Sequence, residues 1–301
     1  MAESATSFHF RGLLAAWLVL LSWTALGCEE TVDPVLETDE VFSLYGFLNP
    51  SSERQAIRVF SIDGTLEHTR PEPMDAVVRT RNHASGEEVV WRDSIVTYDN
   101  RTVGHVFYAD FRADHGTRYT LSATRSDGRE TTVSIETPPD GIVAIDTIFS
   151  ARSSVIVDLI WSNVPRVIQA EASYVVRVPF PDGSDTTTVQ VNIQSGRVEQ
   201  NSDGTWRVSI LPSADIAAVF SALQIQPGVT PVYLDKIIVS AFVTSRDWTS
   251  AAGVSDPELL VQPGTFSNVE NGFGFVGGGY FDRFELKLDD SAARNAGFSV
   301  D

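Results

Sequence analysis

Residues 118–136 read RYTLSATRSDGRETTVSIE. Tyr119, Leu121 and Ala123 alternate with polar neighbours, and Val133 and Ile135 do so again beyond Ser126-Asp127-Gly128. Side chains of a strand point to opposite faces in turn, so each run has one apolar face to bury. An Asp-Gly step between two such runs marks a tight hairpin. The stretch therefore reads as two antiparallel strands lying on a core.

The same pattern continues upstream in VFSLYGFL (41–48), AIRVFSI (56–62), AVVRTR (76–81), EEVVWRDSIVTY (87–98) and HVFYADF (105–111), with Asp63-Gly64 as a further turn signal. Roughly seven short strands at regular spacing, with almost no helical period, predict a β-sandwich. Pro138-Pro139-Asp140-Gly141 breaks the pattern, and a domain boundary is expected there. Strand-like runs resume in IVAIDTIFSA (142–151), VIVDLIWS (155–162), ASYVVRVPF (172–180), TTTVQVNIQ (186–194), TWRVSILP (205–212) and VYLDKIIVSAFVTS (232–245). Ser213–Leu223 is the clearest helix candidate of this half: Ser213 is placed to cap it, and Ile216, Val219, Phe220 and Leu223 share one face. A second short helix is expected within 247–260. A strand with Leu159 and Trp161, followed by one with Tyr174 and Val176, resembles the early strands of a fibronectin type III module. The expected fold is mainly all-β: two β-sandwich domains of immunoglobulin or fibronectin III character, with one or two short helices in the second. The domains are expected at 41–138 and 142–290, followed by a frayed tail at 291–301.

The beginning of the chain carries a different signal. Leu13–Leu21 (LLAAWLVLL) follows Arg11 and has the length of a signal-peptide core, short of the roughly 20 apolar residues a spanning helix needs. Ala25-Leu26-Gly27-Cys28 resembles a lipobox, although the usual order puts the small residue after the leucine. Residues 1–27 are thus expected to be removed and Cys28 to carry the lipid, because two or more acyl chains give stable anchoring where one does not. Cys28 is the only cysteine, so no internal disulfide is possible. Glu29 and Glu30 resemble a surface-export signal, and residues 28–40 read as an acidic tether. The expected location is the outer membrane, facing the cell surface, with the periplasmic face as the alternative.

Composition narrows the function classes. The formal net charge is −18, and Lys236 and Lys287 are the only lysines. Such a surface disfavours nucleic acid. The 43% hydrophobic content is that of a globular chain rather than a disordered one.

Several further features combine into a family resemblance. The lipobox, the β-rich first half, IDTI at 145–148 and SNVENGFGFVGG at 267–278 together resemble two-domain surface lipoproteins catalogued as a domain of unknown function, DUF4249. The resemblance implies an accessory binding or assembly protein beside TonB-dependent receptors of SusC/SusD-type uptake systems, with a TonB-dependent receptor or SusD-like protein as partner. It carries over no catalytic residues.

The residues themselves offer little chemistry. Gly272–Gly277 matches G-x-G-x-x-G, but a dinucleotide site needs a strand before it and a helix after it. Ser267–Tyr280 reads instead as an ordered glycine-rich loop, too broken for a regular strand. Phe273, Phe275, Tyr280 and Phe281 are its expected anchors, and Asn268 and Asn271 are expected to bond the turn backbone. Asn268, Asn271, Phe273 and Phe275 are the candidate ligand or partner residues. His68, His83, His105 and His115 lack short metal-ligand spacing, so no metal or cofactor is expected. Trp91, Trp206 and Trp248 would suit a sugar-stacking platform or the cores, and core is favoured for at least two. The function expected is a non-enzymatic accessory lipoprotein; the alternative is a surface glycoside hydrolase or other hydrolase with a dispersed carboxylate pair.

Changing Cys28 to Ala should abolish acylation. Intact-mass analysis of the mature wild-type protein should show two or more acyl chains on residue 28. An unmodified Cys28, or an N-terminus elsewhere, would refute the anchor.

Overall fold

The computed structural model describes residues 40–62, 72–97, 103–149, 154–180, 183–192, 197–248 and 267–300. Cys28, the tether up to residue 39 and most of the helix expected within 247–260 lie outside these residues. The first half contributes β1 (Phe42–Leu48), β2 (Arg54–Ser61), β3 (Val77–Asn82), β4 (Glu88–Val90), β5 (Arg92–Thr97), β6 (Val103–Asp110), β7 (Arg118–Thr124) and β8 (Glu130–Glu136). After the proline pair come β9 (Ile142–Phe149), β10 (Val155–Ser162), β11 (Arg166–Phe180), β12 (Gly183–Asn192), β13 (Val198–Gln200), β14 (Trp206–Ile210) and helix α1 (Pro212–Leu223). β15 (Tyr233–Thr244), β16 (Val269–Glu270), β17 (Gly272–Leu286) and helix α2 (Asp290–Ala296) complete the described chain. The protein is mainly β, with two short helices among the described residues of its second half, and Thr38–Asp301 forms one compact unit.

The described strands make three sheets. One has eight strands in the order β12-β11-β15-β17-β1-β2-β6-β5, one has four (β13-β14-β10-β9) and one has five (β16-β8-β7-β3-β4). The alternation read at 118–136 is the hairpin β7–β8, paired from Arg118↔Glu136 to Thr124↔Glu130. Its apolar side meets Phe42, Leu44 and Leu48 of β1, Ile57 and Val59 of β2 and Phe107 of β6 in the first core. The second core lies between β10 and β14 on one side and β11, β15 and β17 on the other. Two β-sandwiches thus share the eight-stranded sheet.

Residues 88–97 form two strands rather than one. β4 pairs with β3, whereas β5 pairs with β6 in the other sheet. The chain crosses between sheets at Trp91, a buried residue whose indole N–H donates to Thr80 Oγ1 at 2.7 Å. A second fixed corner sits before β7. The Tyr119 hydroxyl accepts from the Asp114 backbone N–H at 2.8 Å and from Asn82 Nδ2 at 3.3 Å. A tyrosine at a strand start bonded to backbone a few residues upstream is the tyrosine corner of Greek-key sandwiches.

The segment expected as a broken loop is a strand. Gly272–Leu286 runs unbroken for 15 residues. Its glycines answer to space. A Cβ on Gly274 would overlap the Leu44 carbonyl, and one on Gly278 the Glu136 carbonyl. At Gly277 and Gly279 it would stand 2.6 Å from the Trp248 ring and 2.7 Å from the Phe242 ring. Phe42–Leu48 pairs in parallel with Gly272–Gly278, and Ile237–Thr244 pairs antiparallel with Gly279–Leu286. Val269 and Val276 therefore belong to the first core and Tyr280 and Leu286 to the second, although all four fall within the expected 142–290 domain.

Tyr280 also ties the proline link to the strand. Its hydroxyl accepts from Gly141 N at 3.0 Å and donates to the Pro139 carbonyl at 3.3 Å. Its ring meets His115 edge-on at 5.1 Å, and burial pushes its pKa up to about 12. Trp161 crosses the second core as the sandwich reading requires, 5.6 Å from Phe284, and its indole N–H donates to Asp282 at 3.1 Å.

Two terminal readings change. Helix α1 begins at Pro212, because proline suits the first helical position. Ser213 then lies inside the helix, and its hydroxyl accepts from Val155 N at 3.0 Å. Buried Asp215 holds the helix to the sheet, accepting from Tyr174 and Arg197, each at 2.7 Å. The tail expected to fray is instead helix α2. Asp289 caps it through a 2.8 Å bond from Ala292 N, Gly297 ends it in a left-handed conformation, and Phe298 is buried in the second core.

Gly278→Ala sets a methyl against backbone that cannot rotate away. It should cost at least about 1–3 kcal/mol, read as a lowered midpoint in chemical denaturation. An unchanged midpoint would show that the β17–β8 approach is looser than described.

Candidate functional site

The eight-stranded sheet has a second face, turned away from both cores. Alternation fixes which residues reach it. Phe42, Leu44 and Leu48 point into the first core, so Tyr45 and Phe47 point the other way. On β17, Val276 and Tyr280 face the cores, which leaves Phe273, Phe275 and Phe281 on the opposite side. Register brings these together. Ser43 lies beside Phe273, Tyr45 beside Phe275 and Phe47 beside Gly277, while Phe242 of β15 is opposite Phe281.

The result is a contiguous aromatic cluster. Phe242 packs against Phe281 at 4.6 Å, Trp248 at 5.2 Å and Phe47 at 5.3 Å. Trp248 also meets Phe275 at 5.2 Å, most of these contacts being edge-to-face, a geometry worth about 0.5–1.5 kcal/mol per pair beyond area burial. Gly277 and Gly279 provide the space in which Trp248 and Phe242 lie on β17. Phe281 is 52% exposed and Phe60, which meets Tyr45 at 6.0 Å, is 42% exposed, so the cluster reaches solvent at both margins.

The four sequence candidates take different places here. Phe275 is 8% exposed and sits inside the cluster, and Phe273 is half-buried at its edge. Asn268 acts as a missing strand neighbour for β17: its Nδ2 donates to the Val276 carbonyl at 2.8 Å and its Oδ1 accepts from Val276 N at 3.0 Å. Asn271 adopts φ 53°, and its carbonyl accepts from Thr131 Oγ1 at 2.8 Å. Phe281, expected as an anchor, is instead largely open. Phe47, Phe242, Tyr45 and Phe60 were not read from the sequence. The available signal was that VFSLYGFL is apolar at both parities, as a strand covered on both faces is.

Other groups do not converge. Trp91 lies in the first core, Trp206 against the second and Trp248 on the outer face, so they form no shared platform. His105 Nδ1 pairs with Asp93 at 2.9 Å, and His115 Nδ1 lies 3.2 Å from the Pro138 carbonyl. Among the described residues, no group of three His, Cys, Asp or Glu is placed to hold a metal. A small hollow of about 120 Å³ lies beside the tyrosine corner, lined by Thr80, Asn82, Asp114 and Tyr119 among others. Asn82 and Asp114 are bonded to each other there at 3.0 Å. Among the described residues, no helix is long and apolar enough to cross a membrane.

Residues 29–188 match the family described as a domain of unknown function, DUF4249. The chain belongs to that family. No curated protein matches this DUF4249 member. Among solved structures it is similar to the pullulanase of Anoxybacillus sp. LM18-11 in complex with maltotriose, at 9% identity and a TM-score of 0.22 over 67% of this chain. It spans only 24% of that pullulanase. It is also similar to the FN1–FN3 domains of chicken CNTN1 (14% identity, TM-score 0.22, 67% of this chain and 57% of that one). Bovine butyrophilin matches at 11% identity and TM-score 0.18, over 66% of this chain and 87% of that one. These likenesses are too distant to carry a function.

Phe275→Ala and Phe281→Ala separate support from display. The first should cost about 3–5 kcal/mol, and the second no more than about 1.5 kcal/mol, the worth of one exposed ring pair. Denaturant midpoints check this, and equal losses would contradict the division.

Proposed function

We propose that this DUF4249 member is a non-enzymatic, lipid-anchored outer-membrane protein that docks a component of a nutrient-uptake system through its aromatic sheet face. The observation that carries the reading is that face. It lies outside both cores, draws on β1, β15 and β17, and ends in the exposed rings of Phe60 and Phe281. An aromatic cluster outside the cores that opens to solvent at its margins offers apolar area for a partner to bury. The Leu13–Cys28 signal supports anchoring, and the family resemblance supports a TonB-dependent receptor or SusD-like lipoprotein as partner.

A photo-reactive residue at position 281 in the native membrane tests the reading. A cross-link to a TonB-dependent receptor or SusD-like protein is expected, with the adduct lost on Phe60→Asp. Absence of an adduct at 281, with the protein folded and membrane-bound, would refute the docking face.

A further inference from the structure

An edge strand presents unpaired N–H and C=O groups, and proteins normally shorten, charge, kink or cover such edges. Six strands end the three sheets. β4, β13 and β16 have only three, three and two residues. β5 carries Arg92 and Asp93, and β12 is polar in sequence, with three successive threonines. β9 is the least protected: Asp146 is its one charge, and among the described residues no strand covers its outer edge. It is eight residues long, reads IVAIDTIF, and contains no Lys, Arg or Pro. Its pairing with β10 is unbroken from Ile142↔Ser162 to Phe149↔Val155, so no bulge turns it aside. Ile142 is 66% exposed and Ile145 53%.

We infer that β9 pairs antiparallel with β9 of a second copy of this chain, about a two-fold axis through Ile145. The strand itself meets the demands of its own partner. A register centred on Asp146 would set two carboxylates directly opposite, which is repulsive. One centred on Ala144 would set Asp146 against Ile142. Centring on Ile145 pairs positions 142–148, opposes Ile145 to itself and Ile142 to position 148, and sets Asp146 against Ala144. Such a contact is isologous and closes after two copies. It joins the two four-stranded sheets into one and pairs the two β9 edges with each other. The interface is small, and the net charge of −18 acts against it. Affinity should therefore be weak and should rise with ionic strength.

The mature chain carrying Cys28→Ser has neither lipid nor thiol and serves as the parent. In sedimentation velocity it should shift from monomer to dimer between roughly 1 and 200 µM, the range in which a small interface dissociates. Ile145→Lys, at an exposed position, should keep the native circular dichroism spectrum and remain monomeric. Under mild oxidation, Ile145→Cys should give a disulfide dimer, and Ile142→Cys roughly ten-fold less, because directly opposed strand residues lie within disulfide reach. A parent that stays monomeric overturns the inference, even if it binds an added peptide of residues 140–150, since the edge would then take a foreign strand. Equal cross-linking at 142 and 145, or a dimer that survives Ile145→Lys, would also overturn it.

Discussion

Residues 272–286 form one extended strand that serves two cores. Over its first half β17 runs parallel to β1, and over its second half antiparallel to β15. A parallel neighbour needs a long connection. Here nearly the whole chain lies between the two, so the first sandwich cannot be complete until the C-terminal strand arrives. That makes the first core dependent on residues more than 200 positions away. It also explains the four glycines at 274, 277, 278 and 279, each of which would place a Cβ against backbone or an aromatic ring.

The outer aromatic face follows from the same strand. Alternation forces one side of β17 toward Val276 and Tyr280 in the cores and the other toward Phe275 and Phe281. Where the glycines leave room, Trp248 and Phe242 close over the strand; where they stop, Phe281 is left in solvent. One element therefore supplies the structural clasp and the displayed surface together. The supporting ring, Phe275, and the displayed ring, Phe281, are six residues apart on the same side.

The link at Pro138–Gly141 is held rather than loose. Tyr280 bonds both Pro139 and Gly141, His115 packs on its ring, and Asn163 Nδ2 donates to the Asp140 carbonyl at 3.0 Å. Burial raises the Tyr280 phenol and also the Asp282 carboxyl beside it. Because the folded pKa of Tyr280 lies above its free value, its contribution to stability is full below about pH 10 and is lost as pH rises toward 12.

Much of the β character was written locally. A period of two and an Asp-Gly turn suffice to specify β7 and β8, because each residue's face depends only on its own parity. Helix α1 is equally local, set by its spaced apolar residues, whereas helix α2 is marked chiefly by its caps, Asp289 and Gly297. The split at Trp91, the strand at 272–286 and the aromatic face depended on neighbours distant in sequence. Glycine is a poor strand former in isolation, so GFGFVGGGY reads as a loop until Leu44, Glu136, Phe242 and Trp248 are seen to occupy the missing side-chain space. What the sequence determined by itself was the alternating strands, such as β7 and β8, and the inward face of each, through their period of two. What only the tertiary structure decided was which strands share a sheet, since backbone pairing is blind to the distance along the chain between the two partners.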